Sequence, residues 1–211
     1  MAGLLDLLNS ENAQKLISST SRETGASEEK TSSILNMSLR LLMGAMNKNT
    51  NTEQGASSLL SALSNKHDGS ILDNLGSILG GDGVDQSVKK DGEGILGHVL
   101  GGKQSMIQQT IAQKEGLDAG TVGQILKIAA PIVLGFLGKK KQENNISEPS
   151  GLSGLLGGLL GGSSAGGERS MIETLLDSNG DGSIIDDVSG MLLGGKDKKG
   201  GAGGLGGLFG K

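Results

Sequence analysis

Ile34-Leu-Asn-Met-Ser-Leu-Arg-Leu-Leu-Met-Gly44 and Ile125-Leu-Lys-Ile-Ala-Ala-Pro-Ile-Val-Leu-Gly135 are one apolar stretch written twice. Shifted by 91 positions, Ile34-Leu35 falls on Ile125-Leu126, Met37 on Ile128, and Gly25 on Gly116. Both stretches recur at three- and four-residue steps, the period of a helix that buries one face. A second match follows at a longer offset, Asp68-Gly-Ser-Ile-Leu-Asp-Asn-Leu75 against Asp181-Gly-Ser-Ile-Ile-Asp-Asp-Val188. Because the order of elements is kept, the chain reads as a duplicated helical unit.

Caps and stops frame the helices. Residues 10–24 form a first helix, ended by Gly25, the residue that takes a left-handed turn most cheaply. Ser27 caps a second helix, with Glu28 and Glu29 suited to its positive end. Residues 52–65 make a third, and Ser70 with Asp73 reads as a capping box opening a short fourth. Residues 81–94 read as a polar loop. In the second copy a short helix over 93–100 precedes a longer one over 103–115, stopped by Gly116. Asp118 then caps a helix from Ala119 to about Leu137. Pro131 lies inside it, where a missing N–H predicts a kink or a division near Ala130.

The expected fold is therefore all-α: two related multi-helical modules with a Gly-rich linker and a disordered Gly-rich tail. The first 138 residues hold repeat units of about 10–80 and 93–138. Residues 139–167, with three lysines, Pro149 and many Gly and Ser, read as a linker in which Leu155 to Leu160 form a marginal helix. Residues 168–195 read as a helix–loop–helix completing the second copy, and 196–211 as the tail.

Composition removes several function classes. Without cysteine there is no disulfide or thiolate chemistry. A net charge of −4 gives no general attraction to nucleic acid or anionic lipid. The opening Met1-Ala-Gly-Leu-Leu-Asp-Leu-Leu8 lacks the basic start of a signal peptide, and the apolar run 128–137 is half the length needed to cross a bilayer. A cytoplasmic location is the default expectation.

The ordered set Ile95-Leu-Gly-His-Val-Leu-Gly-Gly-Lys-Gln104, then Gly116-Leu117, then Leu126 through Ala130-Pro131-Ile-Val-Leu-Gly135, resembles the bacterial domain-of-unknown-function 937 family. The resemblance covers about residues 1–138 and implies an all-helical bacterial protein. It supplies no activity and no catalytic residues.

One segment carries a chemical motif. Asp177-Ser-Asn179-Gly-Asp181-Gly-Ser183 matches the opening of a calcium loop, with oxygen ligands at positions 1, 3 and 5, glycine at 6 and the Ser183 carbonyl at 7. Position 12, where a bidentate carboxylate belongs, is Val188; Asp186 and Asp187 precede it. The candidate ligands are Asp177, Asn179, Asp181, Ser183 and Asp187, with weak calcium affinity expected from the missing carboxylate. The alternative is a plain turn capped by Ser183 and Asp186. The first copy favours that alternative, since Ser64 and Lys66 stand at the first two ligand positions there.

Other motifs carry less. Ala112, Gly116 and Val122 have helix-turn-helix spacing, loosely repeated by Ser21, Gly25 and Thr31. A DNA reader needs basic and amide side chains on the second helix, and only Gln124 and Lys127 qualify. Gly92-x-Gly94-x-x-Gly97 fits a dinucleotide fingerprint without a strand before it. His67 and His98 have no nucleophile set around them. The Lys139-Lys140-Lys141 run suits a helix C-terminus better than a membrane surface. The leading expectation is a non-enzymatic scaffold or interaction protein, bound to a protein partner or to itself, with one weak calcium loop. The alternative is a nucleic-acid-associated protein using the helix-turn-helix spacing.

Overall fold

A computed structural model describes residues 11–79 and 83–161 of the chain. The fold is all-α. Helices α1 (Glu11–Thr24), α2 (Glu28–Asn49) and α3 (Glu53–Asn65) lead into two single-turn helices, α4 (Ser70–Asp73) and α5 (Leu75–Ile78). Then come α6 (Gln86–Leu100), a 3-10 turn over Gly101–Lys103, α7 (Gln104–Glu115), α8 (Ala119–Glu143) and α9 (Pro149–Gly161).

Two helix pairs share the same turn and cap chemistry. α1 and α2 match α7 and α8, each pair joined through a left-handed glycine, Gly25 at φ 72° and Gly116 at φ 62°. The Ser27 hydroxyl caps α2 by accepting the Lys30 N–H, and Asp118 caps α8 by accepting the Thr121 N–H at 2.8 Å. α3 and α9 are each 13 residues long.

α8 is the axis of the fold. It packs against α1, α2, α3, α4, α6, α7 and α9, and every residue from Ile128 to Gly138 is buried. This 25-residue helix is apolar enough to cross a membrane by length and composition, yet 78% of its most apolar window is buried within the body. Its hydrophobicity is thus consumed by neighbouring helices. α9, from the second copy, lies on α2 and α3 of the first, while α3 and α4 of the first lie on α8 of the second. The described residues cluster as one compact unit.

Several local expectations change. The helix α8 continues unbroken through Pro131 and ends at Glu143 instead of Leu137. Proline frees the carbonyl four residues back, here that of Lys127, and α6 occupies the notch: a Cβ on Gly92 would stand 1.8 Å from that oxygen. The segment read as a loop over 81–94 contains the first two turns of α6, started by Asp85 accepting the Ser87 N–H at 2.7 Å. The residues read as a linker over 139–167 hold the end of α8 and all of α9. Leu152 and Leu156 of α9 are fully buried, whereas Gly154, Gly157 and Gly158 face solvent. At the start of α4 the capping group is Asp68, whose carboxylate accepts the Ser70 N–H at 3.0 Å; Gly69, at φ 108°, takes the N-cap position expected for Ser70. The expected disordered tail, 196–211, and the helix–loop–helix over 168–195 lie outside the described residues.

Candidate functional site

The two segments with helix-turn-helix spacing form one polar cluster. They meet each other: Lys30 Nζ donates to the Gly116 carbonyl at 3.2 Å, and Ser33 Oγ donates to Glu115 Oε1 at 2.9 Å. Each turn is closed locally, with Ser21 Oγ donating to the Ala26 carbonyl at 2.6 Å and Thr121 Oγ1 to Asp118 Oδ2 at 2.6 Å. The Thr121 hydroxyl and N–H hold the Asp118 carboxyl below its usual range. In a DNA reader the second helix must be free to enter a groove. Here it is α8, buried along most of its length. Of its two candidate readers Gln124 is exposed, and Lys127 pairs with Glu93 at 3.3 Å.

A second cluster gathers where the α3–α4 turn meets the end of α8. The His67 carbonyl closes on Gly138, where a Cβ would stand 1.7 Å from its oxygen. Lys141 Nζ donates to Ser64 Oγ at 2.8 Å, and Gln142 Nε2 donates to the Asp68 carbonyl at 2.9 Å. Lys140 pairs with Glu143 at 2.7 Å and lies over the Phe136 ring. Lys141 and Gln142 therefore tie the end of α8 to the end of α3 and the turn after it. His67 is 6% exposed, with Nδ1 3.8 Å from an Asp91 carboxylate oxygen. Burial pushes its pKa down, and Lys66 adds to this, while Asp91 and Asp68 oppose. Ser64 Oγ is committed to the Leu60 carbonyl as well as to Lys141. His98 is exposed and bonds through Nδ1 to the Gly94 carbonyl at 2.9 Å.

The sequence reading missed a third cluster. Glu23 pairs with Lys89, both less than one fifth exposed, and accepts the Val84 N–H at 3.2 Å. Lys89 is the main cause of a depressed Glu23 pKa; burial opposes it, and Val84 adds to it. A signal for this pair did exist. Glu23 lies in the last turn of α1 and Lys89 in the first turn of α6, each at the helix end whose dipole disfavours its charge. Two charges at wrong ends satisfy each other across 66 residues.

Gly92, Gly94 and Gly97 all lie inside α6, so the dinucleotide-like spacing makes no phosphate loop. Among the described residues no group of three or more His, Asp or Glu side chains converges to hold a metal. The calcium candidates Asp177, Asn179, Asp181, Ser183 and Asp187 lie outside the described residues. Their copy-one counterpart is informative: Asp68, the equivalent of Asp181, serves as a helix-entry acceptor, and Ser70 holds its carboxyl below the usual range.

These features define an all-α protein packed around one buried central helix. The chain matches the family described as bacterial protein of unknown function (DUF937) over residues 6–140 and 144–211, and it belongs to that family. No curated protein and no solved structure matches it.

Proposed function

We propose that this is a non-enzymatic helical scaffold that acts by binding a protein partner or its own copies, with the 177–187 loop as a weak calcium element. The carrying observation is how its polar groups are spent. Asp68, Asp85 and Asp118 start helices, Glu23 and Lys89 fasten α1 to α6, and Lys141 ties the end of α8 to α3. Among the described residues such groups position helices, and none of those named stands as a general base beside a nucleophile. Half-exposed leucines remain for contact: Leu155, Leu159 and Leu160 on α9, and Leu59 and Leu60 on α3, which packs against α9. Scattered singly such residues need no explanation, but five on two adjoining helices suit an apolar partner surface. In the calcium loop Asp177, Asn179 and Asp181 would supply side-chain oxygens, Ser183 its carbonyl, and Asp187 a late carboxylate in place of the residue expected at position 12.

The test is sedimentation velocity of the full chain over a wide concentration range, with calcium and with chelator, beside Leu159→Asp and Asp181→Asn. Association weakened by Leu159→Asp supports the scaffold reading; a monomer throughout removes self-association. Calcium titration calorimetry that shows no heat, or heat unchanged in Asp181→Asn, removes the calcium element. A salt-sensitive shift of duplex DNA would instead favour the nucleic-acid alternative.

A further inference from the structure

We propose that the α3–α4 corner is a proton-operated latch on the end of α8, shut while His67 is neutral and released in mild acid. The corner is a short piece held by local contacts. The His67 carbonyl lies against Gly138, and a Cβ on Gly69 would stand 3.0 Å from the Lys139 Cβ. Lys141 Nζ donates to Ser64 Oγ and Gln142 Nε2 to the Asp68 carbonyl, so residues 64–69 are tied to 138–142 through exposed side chains. The single turn of α4 follows directly, entered through the left-handed Gly69. A piece closed by a few surface bonds opens at lower cost than the whole fold.

His67 is the group inside this corner that mild acid charges. Its ring is buried, and Nδ1 lies 3.8 Å from an Asp91 carboxylate oxygen, too far for Asp91 to accept a hydrogen bond from it. Charges reach the ring from each side. Asp91 on α6 and Asp68 in the turn favour a proton, and Lys66 at the end of α3 disfavours it. Lys139 and Lys141 of α8 lie along the same turn, and Asp73, the charge of α4, is exposed. Burial outweighs the two carboxylates and holds the closed-state pKa below 6.5. Opening lets water reach the ring, so the open corner takes up a proton that the closed one resists. The latch is therefore fully shut above pH 6.5 and loosens as pH falls, by up to about tenfold in open population per pH unit. What opening uncovers is apolar: Leu63 of α3 and Leu72 of α4 are buried in the closed corner, and Leu59 and Leu60 lie half-exposed on α3. Acid thus enlarges the apolar surface of α3.

The test is amide hydrogen exchange of the full chain at pH 7 and pH 5.5, read by mass spectrometry and corrected for the intrinsic exchange rate at each pH. Peptides over 62–75 report the corner, and peptides over 104–115 of α7 report the rest of the body. Corrected exchange of the corner should be about fourfold or more faster at pH 5.5, with α7 unchanged. His67→Gln should abolish the acid response, and His98→Gln, at an exposed position on α6, should leave it intact. Asp91→Asn keeps the ring and removes a charge that favours its proton, so its acid response should exceed that of wild type. That variant tests the latch independently of how His67→Gln folds. The latch is overturned by a wild-type corner that ignores pH, or by a response that survives in His67→Gln. A response that fails to grow in Asp91→Asn, or that is equally large in α7, overturns it as well.

Discussion

Gly92→Ala should destabilise the protein although it replaces glycine inside a helix. In an open helical position that exchange stabilises by about 0.5–1 kcal/mol, since alanine has the higher helix propensity. At Gly92 the new methyl would stand 1.8 Å from the Lys127 carbonyl oxygen and 2.7 Å from its carbon, both backbone atoms of the central helix. Backbone cannot rotate away as a side-chain tip can, so α6 must move off α8 along its most extensive contact. Overpacking of this kind costs about 1–3 kcal/mol. Rigid backbone places the cost at the upper end, leaving a net loss of about 2 kcal/mol after the propensity gain. The internal reference is Gly94→Ala in the same helix, where a Cβ meets nothing within 4 Å and a gain of about 0.5–1 kcal/mol is expected. Urea denaturation followed by far-UV circular dichroism measures both, and about 2–4 °C per kcal/mol should separate their melting temperatures. Equal stability of the two variants would refute the notch between Pro131 and Gly92.

Three further outcomes follow from buried polar groups. Thr31 and Thr20 have buried hydroxyls without a partner, and Thr31 stands where the second copy has Val122; Thr31→Val should stabilise by about 1 kcal/mol in the same denaturation assay. Glu23→Gln, which strands Lys89 in a mostly buried setting, should cost about 1–3 kcal/mol at pH 7, and wild type should lose that margin as pH falls below 4.5, because the folded pKa is depressed. His67 also has a depressed pKa, so the unfolded chain takes up its proton first; stability should be full above pH 6.5 and fall as pH drops towards the folded value. His67→Gln should flatten that slope between pH 7 and pH 5, and an unchanged slope would assign it to other groups.

Much of the architecture was legible because it is written in local chemistry. Gly25, Gly116, Ser27 and Asp118 place both turn pairs, and the helical spacing around Ile34 and Ile125 identifies the two core helices. What escaped the sequence reading depends on tertiary approach. Gly92 looks like a helix breaker until Lys127 lies against it, and then only glycine fits. The Leu-Gly pattern at 152–160 looks like a linker until α2 and α3 bury Leu152 and Leu156, a case of packing overriding weak propensity. The Asp68 and Ser70 exchange is subtler: both residues suit a helix start, and the left-handed Gly69 between them decides which side chain accepts. Candidate chemistry was the least legible, since cap residues and calcium ligands draw on the same Asp, Asn and Ser alphabet.

The central claim is that the two copies form one interlocked body around α8. Native-state hydrogen exchange on the full chain tests it most directly, by following amides of α2 and α8 with rising denaturant. The account predicts that the most protected amides of both helices open together, with one free energy and one denaturant dependence. Opening of α1–α3 and α7–α9 in two separate steps of different free energy would contradict it and make the copies independent modules.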